Sequence, residues 1–171
     1  LQLLAFLGLS DREMTVVVLG LDNAGKSTLL RKLATGGMAA LQPTERPNLE
    51  TFELGGIKFK AWDLGGHEAV RCLWDDYLCG AQGVLFILDS SDQERLEEAS
   101  EELHMVLQAV GRSEKVPVAV CYNKCDLKAS LPSSEIEKVP DAAGPVVRSF
   151  RTSALTGHGY TKAFQWLAHL L

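Results

Sequence analysis

Eight consecutive residues, Gly20-Leu21-Asp22-Asn23-Ala24-Gly25-Lys26-Ser27, carry the densest chemistry in the chain. They fit the phosphate-binding pattern of a glycine, four residues, then Gly-Lys-Ser/Thr. The apolar run Thr15-Val16-Val17-Val18-Leu19 precedes them, and a helical pattern from Lys26 to Ala34 follows. A strand that ends in such a loop and runs into a helix aims backbone N–H groups and the positive helix end at a phosphate. Lys26 is placed to reach the β- and γ-phosphates, and the Ser27 hydroxyl to ligate Mg²⁺.

A phosphate loop alone is shared by kinases, ATPases and GTPases. A second signal follows the run Ile57-Lys58-Phe59-Lys60-Ala61-Trp62-Asp63, which reads as a strand ending in an acid. Asp63 at the carboxyl edge of a sheet can hold a Mg²⁺ water opposite Ser27. Leu64-Gly65-Gly66-His67 comes next, and its glycines let the backbone approach a γ-phosphate, with the Gly66 N–H as donor. The third signal is Asn123-Lys124-Cys125-Asp126. Guanine presents two adjacent donors, N1–H and N2–H₂, that one carboxylate such as Asp126 can accept together; adenine has no such pair, and a site built on paired hydrogen bonds rejects an analogue that lacks them. Lys124 can lay its methylenes against the base, and Asn123 can tie this loop to the phosphate loop. The fourth signal, Ser153-Ala154-Leu155, is weaker; its Ala154 N–H is placed to reach guanine O6, and a plain loop explains it equally well.

These pieces need a scaffold. Apolar runs alternate with helical patterns: strand 15–20, helix 26–35, strands 49–54 and 57–62, strand 83–88, helix 93–110, strand 116–121, helix 133–139, strand 145–150 and helix 160–170. That alternation predicts an α/β domain with a six-stranded, mostly parallel sheet and helices on both faces. Gly55-Gly56 is a two-residue hairpin signal, so strands 49–54 and 57–62 are expected to be antiparallel. The helix at 93–110 puts Leu96, Ala99, Leu103, Val106, Leu107 and Val110 on one stripe, and the last helix does so with Tyr160, Phe164, Leu167 and Leu171. The glutamates at 94, 97, 98, 101 and 102 read as a solvated face.

The 171 residues suit one domain, 46% hydrophobic and 23% charged. A net charge of −5, with no lysine- or arginine-rich run, argues against nucleic acid as the main partner. Cys72, Cys79, Cys121 and Cys125 form no paired metal motif and read as free buried thiols of a reducing compartment, hence a cytoplasmic setting. No stretch reaches the ~20 apolar residues of a membrane span. Residues 1–9 are apolar but short, with no basic region before them and no cleavage pattern after them, so they do not read as a signal peptide. The chain starts at Leu1, so the natural start, and any lipidation signal, is expected to lie upstream.

In this order and at these spacings, the four signals resemble the Ras-like small GTPases, and within them the Arf/Sar branch. The stretch Gly20 to Thr28 resembles that branch's phosphate loop, and Trp62-Asp63-Leu64-Gly65-Gly66 its second switch. The likeness runs from Leu7 to Leu171. It implies a P-loop NTPase fold (the Ras-like G domain, residues 11–171) behind an apolar membrane and switch segment, residues 1–10. It also implies a nucleotide site of Asp22, Asn23, Ala24, Gly25, Lys26, Ser27, Thr28, Gly66, Asn123, Lys124, Asp126, Ser153, Ala154 and Leu155, with Mg²⁺ on Ser27, Thr44 and Asp63. GTP is substrate and GDP product.

Several stretches resemble Sar, the GTPase that starts the coat for export from the endoplasmic reticulum: Leu4 to Leu9, Gln42-Pro43-Thr44 with Pro47, His67-Glu68, Gly157-His158-Gly159-Tyr160, and Phe164-Gln165-Trp166-Leu167. His67 stands where Arf proteins carry a water-positioning glutamine. Trp62 is more Arf-like, and the stretch from Asp126 to Ser153 is shorter than in typical Sar proteins. The resemblance implies a switch in which GTP orders the loop 36–48 and the segment 63–78. It also implies a hairpin at 49–62 that slides and drives Leu1, Leu3, Leu4, Phe6, Leu7 and Leu9 into endoplasmic-reticulum or Golgi membrane. The partners implied are an exchange factor, an activating protein supplying an arginine, and coat or effector proteins. His67 is the expected catalytic residue, orienting the attacking water through a ring nitrogen; an imidazolium cannot accept, so activity would vary with pH. No arginine is placed in the sequence as an internal finger, and Asp22 brings negative charge to the γ-phosphate, so intrinsic turnover is expected to be slow.

Other readings stay open at this level: a divergent Arf-like protein, a GTP-locked module that barely hydrolyses, or a small-molecule kinase. A kinase would need an acceptor site and an arginine-rich lid, and neither is visible.

Overall fold

The computed structural model describes residues 12–36, 46–113, 116–132 and 146–170. The phosphate loop sits at the end of β1, Glu13–Leu19, and opens α1, Lys26–Thr35. The hairpin of β2, Asn48–Leu54, and β3, Ile57–Asp63, follows. Two short helices come next, α2 (Glu68–Arg71) and α3 (Trp74–Leu78), then β4, Gly83–Asp89. A 3₁₀ turn, Gln93–Arg95, leads into α4, Leu96–Ser113. The chain continues through β5 (Val118–Asn123) and β6 (Val147–Arg151) to α5 (Tyr160–His169). The expected helix at 133–139 lies outside the described residues.

The six strands form one sheet in the order β2-β3-β1-β4-β5-β6. Among the described strands, only the β2–β3 pairing is antiparallel; the other four are parallel. The expected fold class is therefore the observed one. The central strands are buried on both faces, so they read as continuous apolar runs rather than alternating ones. Successive residues still feed opposite sides. Val16, Val18, Leu85, Ile87, Ala119 and Cys121 pack beneath α1 and α5, while Val17, Leu19, Val84, Phe86, Val118 and Val120 pack beneath α4 and Trp74. Phe52 and Phe59, stacked across the hairpin, meet the edge of Phe164 from α5.

Both expected apolar stripes face these cores; Leu171 lies outside the described residues. β5 ends two residues and β6 one residue later than the sequence pattern placed them, so Asn123 is the last residue of β5 rather than a loop residue. Of the four thiols, Cys121 is buried, but Cys72 and Cys79 are exposed. Both follow or end short helices that cover only part of the sheet, so the expectation of buried thiols fails there. His104, His158 and His169 are exposed, as expected.

Candidate nucleotide site

All five strands that run parallel to one another end at one edge of the sheet. Their following loops, beginning at Gly20, Leu64, Ser90, Lys124 and Thr152, gather there, where open α/β sheets bind ligands. The four stretches singled out in the sequence thus come together, although they span more than a hundred residues of chain.

Lys26 is 5% exposed. Its Nζ donates to the carbonyls of Gly20, 2.9 Å, and Leu21, 2.7 Å, so the loop wraps around an ammonium. Burial pushes its pKa down to about 8 against the opposing pull of Asp63 and Asp22. An ammonium ringed by loop carbonyls, with the carboxylates of Asp63 and Asp22 acting on it, is also a donor that a phosphate held by the same loop would suit. Gly25 adopts φ +100°, and a Cβ there would collide with the Asn123 side chain, so glycine is required on both counts.

Asn123, 3% exposed, bridges the loops. Its Nδ2 donates to the Ala24 carbonyl, 2.8 Å, and its Oδ1 accepts from the Ala154 N–H, 3.0 Å. The tie to the phosphate loop is the one the sequence predicts. The second bond was not foreseen: the Ala154 N–H, expected at guanine O6, already donates to Asn123 and would reach the base only as a three-centre bond. Lys124 has φ +61°, and its Nζ pairs with Asp89 Oδ2 at 2.6 Å. Burial would raise the Asp89 pKa, but hydrogen bonds from Lys124 and Ser91 hold it below the usual carboxylate value. The charge of Lys124 is thus neutralised while its stem stays at the site. Asp126 is exposed, Ser153 is fully buried and Leu155 is 61% exposed.

Asp63 is buried at the end of β3, level with Val18 of β1. Asp63 and the Ser27 hydroxyl are hard oxygen donors of the kind Mg²⁺ takes, alongside waters and phosphate oxygens. Among the described residues no cluster of three or more His, Cys, Asp or Glu could hold a metal unaided. That fits an ion shared with a phosphate ligand rather than caged by protein. Thr44, the third expected ligand, lies outside the described residues.

Gly66 lies against the phosphate loop so closely that a Cβ would be driven into the backbone of Gly20, Leu21 and Asp22. Its carbonyl accepts from Arg71 Nε, 2.9 Å, and the Gly65 carbonyl from Trp74 Nε1, 3.0 Å. His67 begins α2, where its Nδ1 accepts from the Ala69 N–H at 3.4 Å, and its ring is exposed.

Sequence reasoning missed an ion relay beside the site. Arg95 donates to Asp22, 3.0 Å, and to Glu98, 2.7 Å. Glu98 also takes Arg71, which reaches on to Glu102 at 2.7 Å. Glu98 and Glu102 are therefore not the solvated face the charge pattern suggested; the two arginines hold the Glu98 carboxyl down to about 2. The i,i+3 spacing of Arg95 and Glu98 was a visible signal. Nothing in the sequence points from Arg95 to Asp22, 73 residues away.

The chain matches the ADP-ribosylation factor (Arf) family model over residues 1–171. It is 34% identical to the small COPII coat GTPase SAR1 of Giardia intestinalis, over 98% of this chain and 95% of that protein. It is also 34% identical to ADP-ribosylation factor-like protein 1 of Saccharomyces cerevisiae, over 95% and 90%. ADP-ribosylation factor 1 of Brassica rapa is 35% identical, over 94% and 90%. Among solved structures, the Arl6 (BBS3) small GTPase of Trypanosoma brucei, with the nucleotide analogue GppNp bound, superposes with a TM-score of 0.81 at 30% identity, covering 92% of this chain and 96% of that one. The mammalian SRP receptor structure, at 21% identity and a TM-score of 0.80, shares the fold. A glycine-rich loop wrapped around a buried lysine and tied by Asn123 to the Ala154 loop, in a chain that matches the family model along its whole length, makes this chain a member of the Arf/Sar family of small GTPases, which hydrolyse GTP.

Proposed function

We propose that this GTPase is a Sar-type switch that recruits a coat to membranes in transport from the endoplasmic reticulum to the Golgi. The single observation that supports the nucleotide site is the Asn123 bridge, because it holds the phosphate loop and the Ala154 loop in one frame. In that frame the backbone N–H groups of residues 22–28 and the Lys26 ammonium bind phosphates, and Asp126 selects guanine. Ser27, Asp63 and Thr44 would hold Mg²⁺, which neutralises charge on the β- and γ-phosphates when bound. His67 is exposed beside Gly66, free to swing from its weak capping bond toward an in-line water.

Relatives of Sar, Arf and Arf-like type stand at 34–35% identity, so overall likeness favours none of them. What favours the Sar reading is His67 after Gly65-Gly66, where the Arf pattern has glutamine, together with the stretches around Gln42 and Gly157. On this reading the N-terminal segment, residues 1–10, inserts shallowly into the membrane when GTP is bound. An exchange factor loads GTP, and an activating partner supplies the arginine for hydrolysis.

The test is single-turnover GTP hydrolysis with and without the activating subunit of the endoplasmic-reticulum export coat. Strong acceleration, on the scale of ~10³-fold and lost in His67→Ala, is the expected result. No acceleration would move the protein to the Arf-like group, and absent intrinsic turnover as well would make it a GTP-locked module.

A further inference from the structure

We infer that Lys32, which lies on α1 beyond the phosphate-binding loop, is a positioning residue for guanine: it clamps the loop that presents Ala154 and Leu155 to the base. The inference rests on the guanine-site reading above. Lys32 lies on α1, six residues after Lys26. Its Nζ donates to two successive carbonyls, Ala154 at 2.9 Å and Leu155 at 2.7 Å. Bonds from a charged donor are about twice as strong as neutral ones. The same loop is held on its other side by Asn123, which takes the Ala154 N–H.

The peptide plane makes this clamp directional. In a trans peptide the carbonyl of one residue and the N–H of the next point opposite ways. Fixing the Ala154 and Leu155 carbonyls on Lys32 therefore fixes the Leu155 and Thr156 N–H groups on the far side. The Thr156 N–H is satisfied inside the loop by Ser153 Oγ, 3.1 Å. The Leu155 N–H is thereby oriented by Lys32 and Asn123 together, next to an Ala154 N–H already committed to Asn123. Ser153 and Ala154 are packed against the core, but the Leu155 side chain is 61% exposed, so at Leu155 the chain is held by hydrogen bonds rather than by packing. One end of the clamp is rooted in the helix that begins with Lys26, so the phosphate and base halves of the site are braced through α1 as well as through Asn123.

The experiment is release of fluorescent GDP from the full chain, for wild type, Lys32→Met, Lys32→Arg and Asp126→Asn, each repeated with a 6-thioguanine nucleotide. Sulfur at position 6 is a poor acceptor, so that analogue reports the loop's bond to the base. Lys32→Met is expected to release GDP about tenfold faster, equivalent to about 1.4 kcal/mol. Its penalty for the 6-thio analogue should shrink, while Lys32→Arg stays near wild type. Release unchanged in Lys32→Met overturns the inference. So does faster release with an undiminished 6-thio penalty, which would mean general loosening; thermal denaturation of each variant identifies a folding defect, and Lys32→Arg then decides. Asp126→Asn that binds GDP like wild type would overturn the guanine-site reading itself, and the inference with it.

Discussion

Arg95 of the 3₁₀ turn holds Asp22 of the phosphate loop, Nη2 to Oδ1, at 3.0 Å. Burial would raise the pKa of Asp22, but the Arg95 hydrogen bond and charge more than offset it, so Asp22 stays ionised. A carboxylate so close to a triphosphate site repels the γ-phosphate unless a cation covers it. Both partners are over a third exposed or nearly so, which limits the pair to roughly 1 kcal/mol or less. Arg95→Ala is therefore expected to lower GTP affinity relative to GDP by about two- to fivefold. In an Asp22→Gly background the same change should do nothing. Competition binding of GTP against GDP in the four variants measures the coupling, and equal effects in both backgrounds would remove it.

The relay continues through Glu98 to Arg71 and so to the Gly66 carbonyl. Glu98 is held down to about 2 from an ordinary 4.5. A group whose folded pKa is depressed contributes stability above its unfolded value and loses it as pH falls through the folded one. Glu98→Gln should thus lower the melting temperature at pH 7. Its side chain is 39% exposed, so screening keeps the effect to a few degrees. The difference between the proteins should narrow below pH 4.5 and vanish near pH 2. A gap that stays constant across that range would show the loss to be packing, not charge.

Asn123 offers a larger effect, because it is buried. Asn123→Ala strands the Ala24 carbonyl and the Ala154 N–H, each at about 1–3 kcal/mol where water cannot replace the bond. GDP release is expected to rise by roughly 10- to 100-fold, with the fold retained, since the change leaves the sheet intact. Stopped-flow dissociation alongside circular dichroism separates the two, and release at the wild-type rate would discredit the bridge.

Much of this was legible in the sequence because it is local. The phosphate loop is eight contiguous residues between a strand and a helix, and the two apolar stripes reveal themselves by period. Asp63 and Asn123 were readable because strands end where apolar runs end, to within two residues. Lys32, Asp89 and Arg95 were not. Each acts through a partner 35 to 123 residues away; parallel register sets Asp89 beside Asn123, while Lys32 and Arg95 meet their partners only through the packing of α1 and the 3₁₀ turn against the loops. Periodicity names the buried face of α4 but says nothing of which acids on its other face meet an arginine from α2.

Gly66 decides whether the segment after β3 can rest on the phosphate loop. Its Cα lies where any side chain would enter the backbone of residues 20–22, and backbone cannot rotate aside as a flexible side chain can. Gly66→Ala must therefore push residues 65–67 off the loop, carrying away the N–H expected at the γ-phosphate. GDP makes no use of that N–H, so its affinity should change less than about threefold, whereas GTP should lose its advantage by ~10-fold or more, the scale of one charge-assisted bond. Trp74 reports the movement, since its Nε1 donates to the Gly65 carbonyl from a buried position. Wild type should show a tryptophan fluorescence change on exchanging GDP for a non-hydrolysable GTP analogue, and Gly66→Ala should show little. If the variant keeps both the GTP preference and the fluorescence change, the close approach of Gly66 to the phosphate loop is packing alone, and the switch must sense the γ-phosphate elsewhere.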